Sequence, residues 1–538
     1  MPGRGTAESW GTTRNLLLGA RFLCRLPAYL RNPLDALEAD HNVRTRLDQR
    51  AANFLELIRG PVFGHASSPY AALLRAAGLG APDLEHLLQQ QGLEATLRSL
   101  LMAGVYVTVD EFKGRIPLRR GSLELRVGPE DFRNPRSAYH LPAASGGSRS
   151  QGTPVLFDLE FIRACAADAM VVLQARNGLT WEKAVWEVPG GGARFRLLKY
   201  AAMGTVPRHW FSQVDPHTPG LHPLYAWSTR FLGWGSRFAG HPFPSPEYCP
   251  VPNPEPVLRW VDQLRKAAIE GHLFTFPSSA VALAAAASGR GTDLSPLHLT
   301  ISGEPITAAR METLRAAGVA SVGPRYGSVE TGPIAYGCLH PRGPDDLHLV
   351  SDLHALIQPG SSRPEIFPEQ ALLITTLHPK APFVLLNASM GDEAEMEVTP
   401  CGCPFEGMGW PVHLYRVRSF EKLTGAGMTF AAADVIRVLE EVLPQRFGGK
   451  PGDFQLVEQE TREGHAELRL LVDPDLGPLD PLQVSRAFLE SLGSFSIVNR
   501  LMGTALQNAK GIKVERRRPQ LTRSGKVLHL HVQRKPGP

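Results

Sequence analysis

The stretch from Arg325 to Gly332 has residue types suited to nucleotide chemistry. Tyr326, Gly327, Ser328 and Glu330 form a Tyr-Gly-x-x-Glu pattern within it. A flat aromatic ring can stack on a purine, and a carboxylate three positions beyond the glycine can hold hydrated Mg2+ beside phosphates. A motif this short also occurs as a solvated turn after a strand, so its interpretation depends on other segments.

A second segment, rich in small residues, is suited to binding a polyphosphate. It contains Ser145, Gly146, Gly147, Ser148, Gly152 and Thr153 and precedes the apolar run Val155–Phe157. Backbone N–H groups that no side chain covers can wrap phosphate oxygens. The alternative is a flexible Gly/Ser linker.

A third set of residues suits a metal ion. Its members are Cys338, His340, His348, Cys401 and Cys403. Thiolates and imidazoles in close pairs are typical ligands of tetrahedral Zn2+. We predict a closed structural zinc site made of the three cysteines and one of the two histidines. The alternative is three unpaired thiols and a surface histidine.

Length and composition narrow the class of protein. A chain of 538 residues is expected to form two or three domains, and its 43% hydrophobic and 20% charged content is that of a globular protein. A net charge of +5 over this length argues against a nucleic-acid partner. No run reaches the roughly 20 apolar residues of a membrane span. Arg21 and Arg25 interrupt the apolar start, so we expect a cytoplasmic protein without stable membrane insertion or disulfides.

The hydrophobic pattern predicts the elements that position these residues. Residues 1 to about 115 are expected to be mostly helical, with helical spacing over 34–58 and 84–101. A strand over 297–302, a helix over 307–317 with Thr307 as N-cap, and a strand over 320–322 lead into a loop that carries Tyr326. This order predicts an α/β fold with ligands at the carboxyl ends of strands.

The last hundred residues are expected to form a separate small α+β unit. The pattern predicts helices over 434–443 and 481–491 and strands over 454–457, 466–472 and 512–514.

Taken in order, the motifs resemble those of the adenylate-forming superfamily, which includes acyl-CoA synthetases, peptide-synthetase adenylation domains and firefly luciferase. The order is the small-residue loop, Gly303-Glu304-Pro305, the Tyr326 motif, Gly391-Asp392, Arg418 and Ser524-Gly525-Lys526. The Gly-Glu-Pro helix start is most similar to the phenylacetate–CoA ligase branch. The resemblance covers roughly residues 140 to 530.

The resemblance implies an architecture and an activity. The fold would be α/β, a large N-terminal adenylate-forming domain with a small mobile C-terminal α+β domain. A helical region over 1–120 would pack on an AMP-binding core over 121–418, and the small domain would span 419–538. The protein would activate a carboxylic acid with MgATP and pass the acyl group to coenzyme A or a carrier-protein thiol. It would act as a monomer or homodimer, and the aromatic residues dense over 181–243 favour an aryl or hydrophobic acid.

The resemblance also implies a role for each motif. Ser145 to Pro154 would be the phosphate loop, and Gly303, Glu304, Pro305 and Tyr326 would frame the adenine. Glu330 would bind Mg2+, Asp392 the ribose hydroxyls, and Arg418 ribose or phosphate. Glu421 would stand at the hinge between domains, and Lys526 would complete the adenylation site.

Four positions depart from the family pattern. The loop lysine of the usual Gly-Lys-Pro is replaced by Thr153, the hydroxyl before the motif glutamate by Val329, the glycine before Arg418 by Val417, and the usual hinge Asp or Lys by Glu421. Arg149 is one candidate for the missing cation. Two other functions therefore stay open: adenylation with an amine acceptor, and a non-catalytic relative that binds nucleotide. A zinc-organised scaffold without ATP chemistry is a third.

Overall fold

The structure is a computed structural model that describes residues 12–144, 153–188, 190–215, 223–304, 306–361, 364, 366–419, 422–425, 428–431, 435, 438–449, 453–460, 466–495, 512–519 and 530–532. Its α-helices are α1 (Thr12–Arg31), α2 (Ala36–Asp48), α3 (Arg50–Leu57), α4 (Pro69–Ala76), α5 (Ala81–Gln91), α6 (Leu93–Met102), α7 (Val109–Phe112), α8 (Leu159–Ala175), α9 (Gly191–Ala202), α10 (Pro223–Phe238), α11 (Glu255–Ala267), α12 (Pro277–Arg290), α13 (Ala308–Ala316), α14 (Pro404–Met408), α15 (Leu443–Phe447) and α16 (Pro481–Phe495). No helix among these described residues is long and apolar enough to cross a bilayer.

Twenty-two strands complete the described elements. They are β1 (Leu118–Arg120), β2 (Leu123–Leu125), β3 (Leu141–Ala144), β4 (Pro154–Phe157), β5 (Glu182–Glu187), β6 (His209–Ser212), β7 (Pro246–Tyr248), β8 (Gly271–Thr275), β9 (Leu297–Ser302), β10 (Ser321–Ser328), β11 (Gly332–Gly337), β12 (Leu347–Leu349), β13 (His354–Ile357), β14 (Ala371–Thr376), β15 (Ala388–Val398), β16 (Val412–Ser419), β17 (Lys422–Gly425), β18 (Met428–Ala431), β19 (Phe454–Glu460), β20 (Ala466–Val472), β21 (Ile512–Arg516) and β22 (Leu530–Val532).

The N-terminal helices are packed on the large sheet rather than forming a unit of their own. Helix α2 begins at Asp35, whose carboxylate accepts a hydrogen bond from the Glu38 N–H at 2.8 Å. Near its end, Arg46 pairs with Asp168 of α8 at 2.6 Å and with Asp352 at 2.8 Å. Buried residues of α1–α7 belong to the same hydrophobic cluster as those of α8 and β11–β16. The helical region is therefore held in place by the core beneath it.

One twelve-stranded sheet forms the centre of the large domain, in the order β13-β14-β15-β16-β12-β11-β10-β9-β8-β5-β6-β7. The strands from β10 to β7 are parallel, whereas those from β11 to β13 pair antiparallel with their neighbours. Strand β10 thus lies where the sheet changes from parallel to antiparallel pairing. The carboxyl ends of the parallel strands all lie at one edge, where ligands bind in α/β proteins.

A second sheet, with its own hydrophobic core, lies in the C-terminal part of the chain. Its order is β21-β20-β19-β22, with α16 packed against it. Val214 of the large domain joins this second core. A mixed α/β fold with a small C-terminal region is therefore confirmed.

Most elements lie where the hydrophobic pattern predicts them, with two informative differences. Strand β20 has the predicted bounds, and the Thr307 hydroxyl accepts from the Arg310 N–H at the start of α13, as an N-cap does. The helix predicted over 84–101 is two helices, because Gly92 adopts a φ of 78° and interrupts the first. The expected loop around Tyr326 is largely strand, because β10 pairs with β9 as far as Arg325 and with β11 from Arg325 to Ser328.

Candidate functional site

Tyr326 and Asp392 are hydrogen-bonded to each other although they lie on different strands. The Tyr326 hydroxyl donates to Oδ2 of Asp392 at 2.8 Å. Burial and the neighbouring Asp392 carboxylate raise the pKa of the Tyr326 phenol, so the phenol stays protonated and donates. Tyr326 on β10 and Asp392 on β15, the two residues expected to bind adenine and ribose, are thus in direct contact.

The hairpin between β10 and β11 presents Glu330 through a tight turn. The Ser328 and Thr331 hydroxyls are 2.9 Å apart, and the Thr331 N–H donates to the Ser328 hydroxyl at 3.2 Å. Gly327 is required here, because a Cβ at that position would lie 2.3 Å from the carbonyl oxygen of Gly332. The turn is therefore fixed by short-range contacts, and Glu330 is 6% exposed at its tip.

Lys113 joins this turn to the end of the small-residue segment. Its ammonium forms an ion pair with Oε1 of Glu330 at 2.9 Å and donates a hydrogen bond to the hydroxyl of Thr153. The side chains of Lys113 and Glu330 are 7% and 8% exposed, and Thr153 is 1% exposed. A cation from the helical region therefore lies beside Thr153, the position at which the resemblance implies a loop lysine.

Helix α7 holds Lys113 rigidly. Thr108 and Glu111 form a capping box at its start, in which the Thr108 N–H donates to Glu111 at 2.8 Å. Arg120 pairs with the buried Glu111 carboxylate at 2.7 Å. Phe112 packs on Phe132 and Phe383, with ring centroids 5.2 and 5.3 Å away. Sequence reasoning missed Lys113, because only the capping box is visible locally and its partners are distant in the chain.

Glu304, expected to frame the adenine, is bound by groups of the protein itself. Its carboxylate accepts from the Ser278 hydroxyl at 2.6 Å and from the Ser278 N–H at 3.1 Å, at the start of α12. It also pairs with Arg310 at 2.8 Å, and both side chains are nearly unexposed. The preceding Gly303 has a φ of 94°. Glu304 thus fixes the turn after β9, and the adenine role stays a prediction.

Arg418 lies near Asp392, but its guanidinium contacts a different residue. Its position is paired with Glu393 across the β15–β16 ladder, next to Asp392. The guanidinium donates to Asp345 at 3.2 Å and is 31% exposed. Its role toward ribose or phosphate stays a prediction and would require release from Asp345.

Four of the five predicted zinc ligands are brought together. One ligand atom from each of Cys338, His348, Cys401 and Cys403 lies within 4.8 Å of the others. The Sγ atoms of Cys401 and Cys403 are 3.5 and 3.2 Å from Nε2 of His348. His340 is outside the cluster, with its Nδ1 3.1 Å from the Cys401 carbonyl oxygen.

The surroundings of this cluster fit a tetrahedral metal ion. Nδ1 of His348 lies 2.6 Å from the Trp410 carbonyl, and a bond from the Nδ1–H would leave Nε2 free to ligate. The His340 and Cys403 backbone N–H groups donate to the sulfurs of Cys338 and Cys401 at 3.3 and 3.4 Å. Burial raises the pKa of the Cys338 thiol far above its usual range, so ionisation there needs a cation.

Several predicted site residues lie outside the described part of the chain. They are Ser145, Gly146, Gly147, Ser148, Gly152, Pro305, Glu421 and Lys526. Their predicted roles in phosphate binding, in framing the adenine, at the hinge and in adenylation stay predictions.

The aromatic residues that favoured an aryl acid have mixed surroundings. Trp186, Trp210 and Phe211 are buried in the core, whereas Trp234 and Phe238 are 58% and 88% exposed. The Trp186 indole donates to the Cys249 carbonyl at 2.7 Å. These five side chains therefore give no support to an aryl-binding pocket.

Comparison with known proteins connects this geometry to solved structures. No protein-family model and no curated protein matches the chain. The structure of 2-hydroxyisobutyryl-CoA ligase with 2-HIB-AMP and CoA, in the thioesterification state, is similar over 94% of this chain and 92% of its own, with a TM-score of 0.56 and 15% identity. The amide bond synthetase McbA from Marinactinospora thermotolerans has a TM-score of 0.39 and 13% identity over 86% and 92% of the chains. The chain therefore has the fold of 2-hydroxyisobutyryl-CoA ligase.

Proposed function

We propose that this protein activates a carboxylic acid with ATP to an acyl-adenylate and then transfers the acyl group to a thiol. The observation that carries the proposal is the convergence of Lys113, Thr153 and Glu330 on the hairpin that also bears Tyr326. Three distant segments meet there, with one cation and one carboxylate nearly buried, beside the residues suited to a nucleoside.

The chemistry requires opposite charge around a polyphosphate. A carboxylate oxygen of the acid forms a bond to the α-phosphorus, the bond from that phosphorus to the bridging oxygen breaks, and pyrophosphate leaves. Positioning and charge neutralisation supply nearly all of the catalysis in such a transfer. Mg2+ would neutralise phosphate charge, and Glu330 fits it because its carboxylate already faces a cation.

Lys113 is proposed to supply the cation that Thr153 does not. A lysine ammonium is a compact point charge that can bind phosphate oxygens. In the structure it pairs with Glu330, so phosphate would replace that carboxylate as its partner and leave Glu330 to the metal. Lys526 is proposed to act from the small domain on the same phosphates, with Glu421 at the hinge between the two domains.

The acceptor is proposed to be coenzyme A or a carrier-protein thiol. The support is the fold shared with a CoA ligase. Rotation of the small domain about residues 419–421 would remove Lys526 after adenylation and admit the thiol. An amine acceptor is the second candidate for this step, and product analysis distinguishes thioester from amide.

We also propose that the cluster of Cys338, His348, Cys401 and Cys403 holds a structural zinc ion. The ion would join the loop after β11 and the strand β12 to the segment before α14. All four ligands come from the protein, which is typical of structural rather than catalytic zinc sites.

The experiment that tests the function is acid-dependent pyrophosphate release from MgATP without an acceptor, using aliphatic and aromatic mono- and dicarboxylic acids. The full chain is compared with Lys526→Ala. Release with one class of acid, lost in the variant, supports adenylation. Intact ATP binding with no release for any acid would count against an enzyme and favour a non-catalytic nucleotide-binding relative.

A further inference from the structure

A second group of charged side chains lies buried at the carboxyl edge of the parallel strands. Glu187 ends β5, Arg325 lies in β10, and Arg196 and Lys199 lie three positions apart on one face of α9. Lys199, Glu187 and Arg325 are 4%, 3% and 8% exposed. Three cations and one carboxylate are thus grouped together, and Arg196 is the most exposed, with 16% of its side chain accessible.

The contacts within this group leave polar atoms without protein partners. Arg196 lies 3.3 Å from Glu187 and stacks on the Phe274 ring at 4.0 Å, and Arg325 donates to the Ser302 hydroxyl at 3.2 Å. Among the residues that the structure describes, Nε of Arg325 and Oε1 of Glu187 have no hydrogen bond.

Lys199 is the most unusual member of the group. Within the described residues its ammonium has no hydrogen bond or ion pair, and it lies 5.5 Å from the centroid of the Tyr200 ring. Burial and repulsion by Arg325 and Arg196 lower the pKa of Lys199 to about 7. A buried ammonium without a partner is costly, and such groups are common where a ligand supplies the missing charge.

Lys183, a second buried lysine, has the contacts that are typical of a structural role. Lys183 is 1% exposed, and its ammonium donates to the carbonyls of Gly178, Leu179 and Trp181. All three of its donors are therefore satisfied by the protein. Lys199 is 4% exposed, and the described residues provide it with no such carbonyl contacts.

The cationic group adjoins the proposed nucleotide site, and this position suits it to binding the acid substrate. Arg325 directly precedes Tyr326 in β10, and a Cβ on Gly327 would lie 3.1 Å from the Arg325 guanidinium. That guanidinium therefore lies beside the start of the turn that carries Glu330. If Tyr326 and Asp392 bind the nucleoside, and Lys113 and Glu330 the phosphates, the cationic group is left for the acyl chain.

We propose that Lys199, Arg325 and Arg196 bind the far end of the acid, and that the preferred acid carries a second carboxylate. This inference rests on the proposed adenylation and names its substrate class. The reacting carboxylate would lie at Glu330 and Lys113, and the second carboxylate would enter the cationic group. Excess positive charge and unsatisfied donors fit an anion and disfavour a purely hydrocarbon chain.

The test uses matched pairs of acids of equal length, with one and two carboxylates, such as hexanoate with adipate and 4-methylbenzoate with terephthalate. Acid-dependent ATP–pyrophosphate exchange is measured with the full chain. We expect kcat/KM to be about 100-fold higher for the better dicarboxylate than for the monocarboxylate of the same pair. The monocarboxylate lacks the second carboxylate and so leaves buried cations unpaired. Lys199→Met should reduce that preference at least tenfold, mainly through KM, and Lys199→Arg should retain it.

Controls separate failure of the subsite from failure of the function. The exposed Lys266→Met should leave the preference unchanged. Exchange with equal kcat/KM for both members of every pair overturns the subsite and leaves adenylation standing. If no acid gives exchange, calorimetric titration of each dicarboxylate into the full chain decides whether the subsite binds a carboxylate. Binding that Lys199→Met abolishes supports the subsite, and no binding by any dicarboxylate overturns it.

Discussion

The ammonium of Lys113 lies 2.9 Å from the carboxylate of Glu330, although 217 positions separate the two residues. Lys113 directly follows the short helix α7 of the N-terminal region, and Glu330 lies at the tip of the β10–β11 hairpin. The pair is nearly buried and is extended by the hydrogen bond to Thr153. The helical region therefore contributes a charged group to the proposed phosphate site and does more than cover the core.

Replacing Lys113 by alanine should slow acid-dependent pyrophosphate exchange about 100-fold, the size of effect found when one preorganised charged or hydrogen-bonding group is removed from a transition state. Lys113→Ala, Thr153→Lys should recover at least tenfold, because it returns a lysine to the loop position of the family pattern. Steady-state exchange kinetics with saturating acid check both results.

A purely structural role for Lys113 predicts another outcome. The single variant would then unfold at lower temperature, and a lysine at position 153 would not restore exchange. The exposed Lys266→Ala serves as the charge-matched control. Equal exchange rates for Lys113→Ala and the wild type would refute the proposed contribution to the phosphate site.

The pattern of the chain predicts local structure better than it predicts this site. Thr307 is recognisable as an N-cap, because a cap depends on residues within one turn. The extension of β10 through Tyr326 was missed, because strand length depends on pairing with β9 and β11. Lys113 was missed for the same physical reason: a contact across 217 positions leaves no trace in local periodicity.

Asp392 should discriminate nucleotides by their ribose hydroxyls. We expect Asp392→Ala to weaken ATP binding about 10- to 100-fold, since each hydrogen bond to a charged group contributes about 1.5–3 kcal/mol. Tyr326→Phe removes the bond to Asp392 but keeps the ring, so its effect should be about fivefold. Calorimetry with ATP and 2′,3′-dideoxy-ATP measures both variants.

Comparing ATP with 2′,3′-dideoxy-ATP provides an internal check on the assignment of Asp392 to the ribose. The wild type should bind ATP more tightly than the dideoxy analogue, and Asp392→Ala should bind the two equally. A variant that still prefers ATP would show that another residue reads the ribose.

Glu304 should matter for stability more than for nucleotide binding. Its carboxylate pairs with buried Arg310 and accepts both Ser278 donors, and breaking one partner of a buried ion pair costs about 3–5 kcal/mol. Glu304→Gln should lower the free energy of unfolding in urea by an amount of that order. The double variant Glu304→Gln, Arg310→Met should be less destabilised than the sum of the single variants. A changed Kd for ATP at unchanged stability would instead support contact with the adenine.

The cysteine–histidine cluster should bind one zinc ion per chain. Cys403→Ser and His348→Gln should lose the metal and unfold at a temperature several degrees lower, because zinc binding stabilises the folded state that holds its ligands. His340→Gln is the matched control and should retain zinc, since His340 lies outside the cluster. Elemental analysis and thermal unfolding check these outcomes. Zinc lost from His340→Gln but kept in His348→Gln would assign the ligands the other way.

Binding of a dicarboxylate should weaken above about pH 7. Lys199 has its pKa lowered to about 7 by burial and by Arg325 and Arg196, whereas Cys165 and Asp168 act in the opposite direction. Below pH 7 the ammonium is charged before the acid arrives. Above pH 7, binding of the dicarboxylate must first return a proton to the Lys199 amine. Kd should therefore rise about tenfold per pH unit until the pH reaches the higher pKa that Lys199 has in the complex.

Lys199→Arg separates this titration from the other groups around it. A guanidinium stays charged at every accessible pH, so the rise in Kd between pH 7 and 9 should vanish in the variant. Burial raises the pKa of Glu187, and Lys199→Arg leaves Glu187 unchanged, so any rise in Kd that Glu187 contributes would persist in the variant. Calorimetric Kd values for the dicarboxylate, taken without nucleotide, provide the profile. A rise that persists in Lys199→Arg would place the titrating group elsewhere.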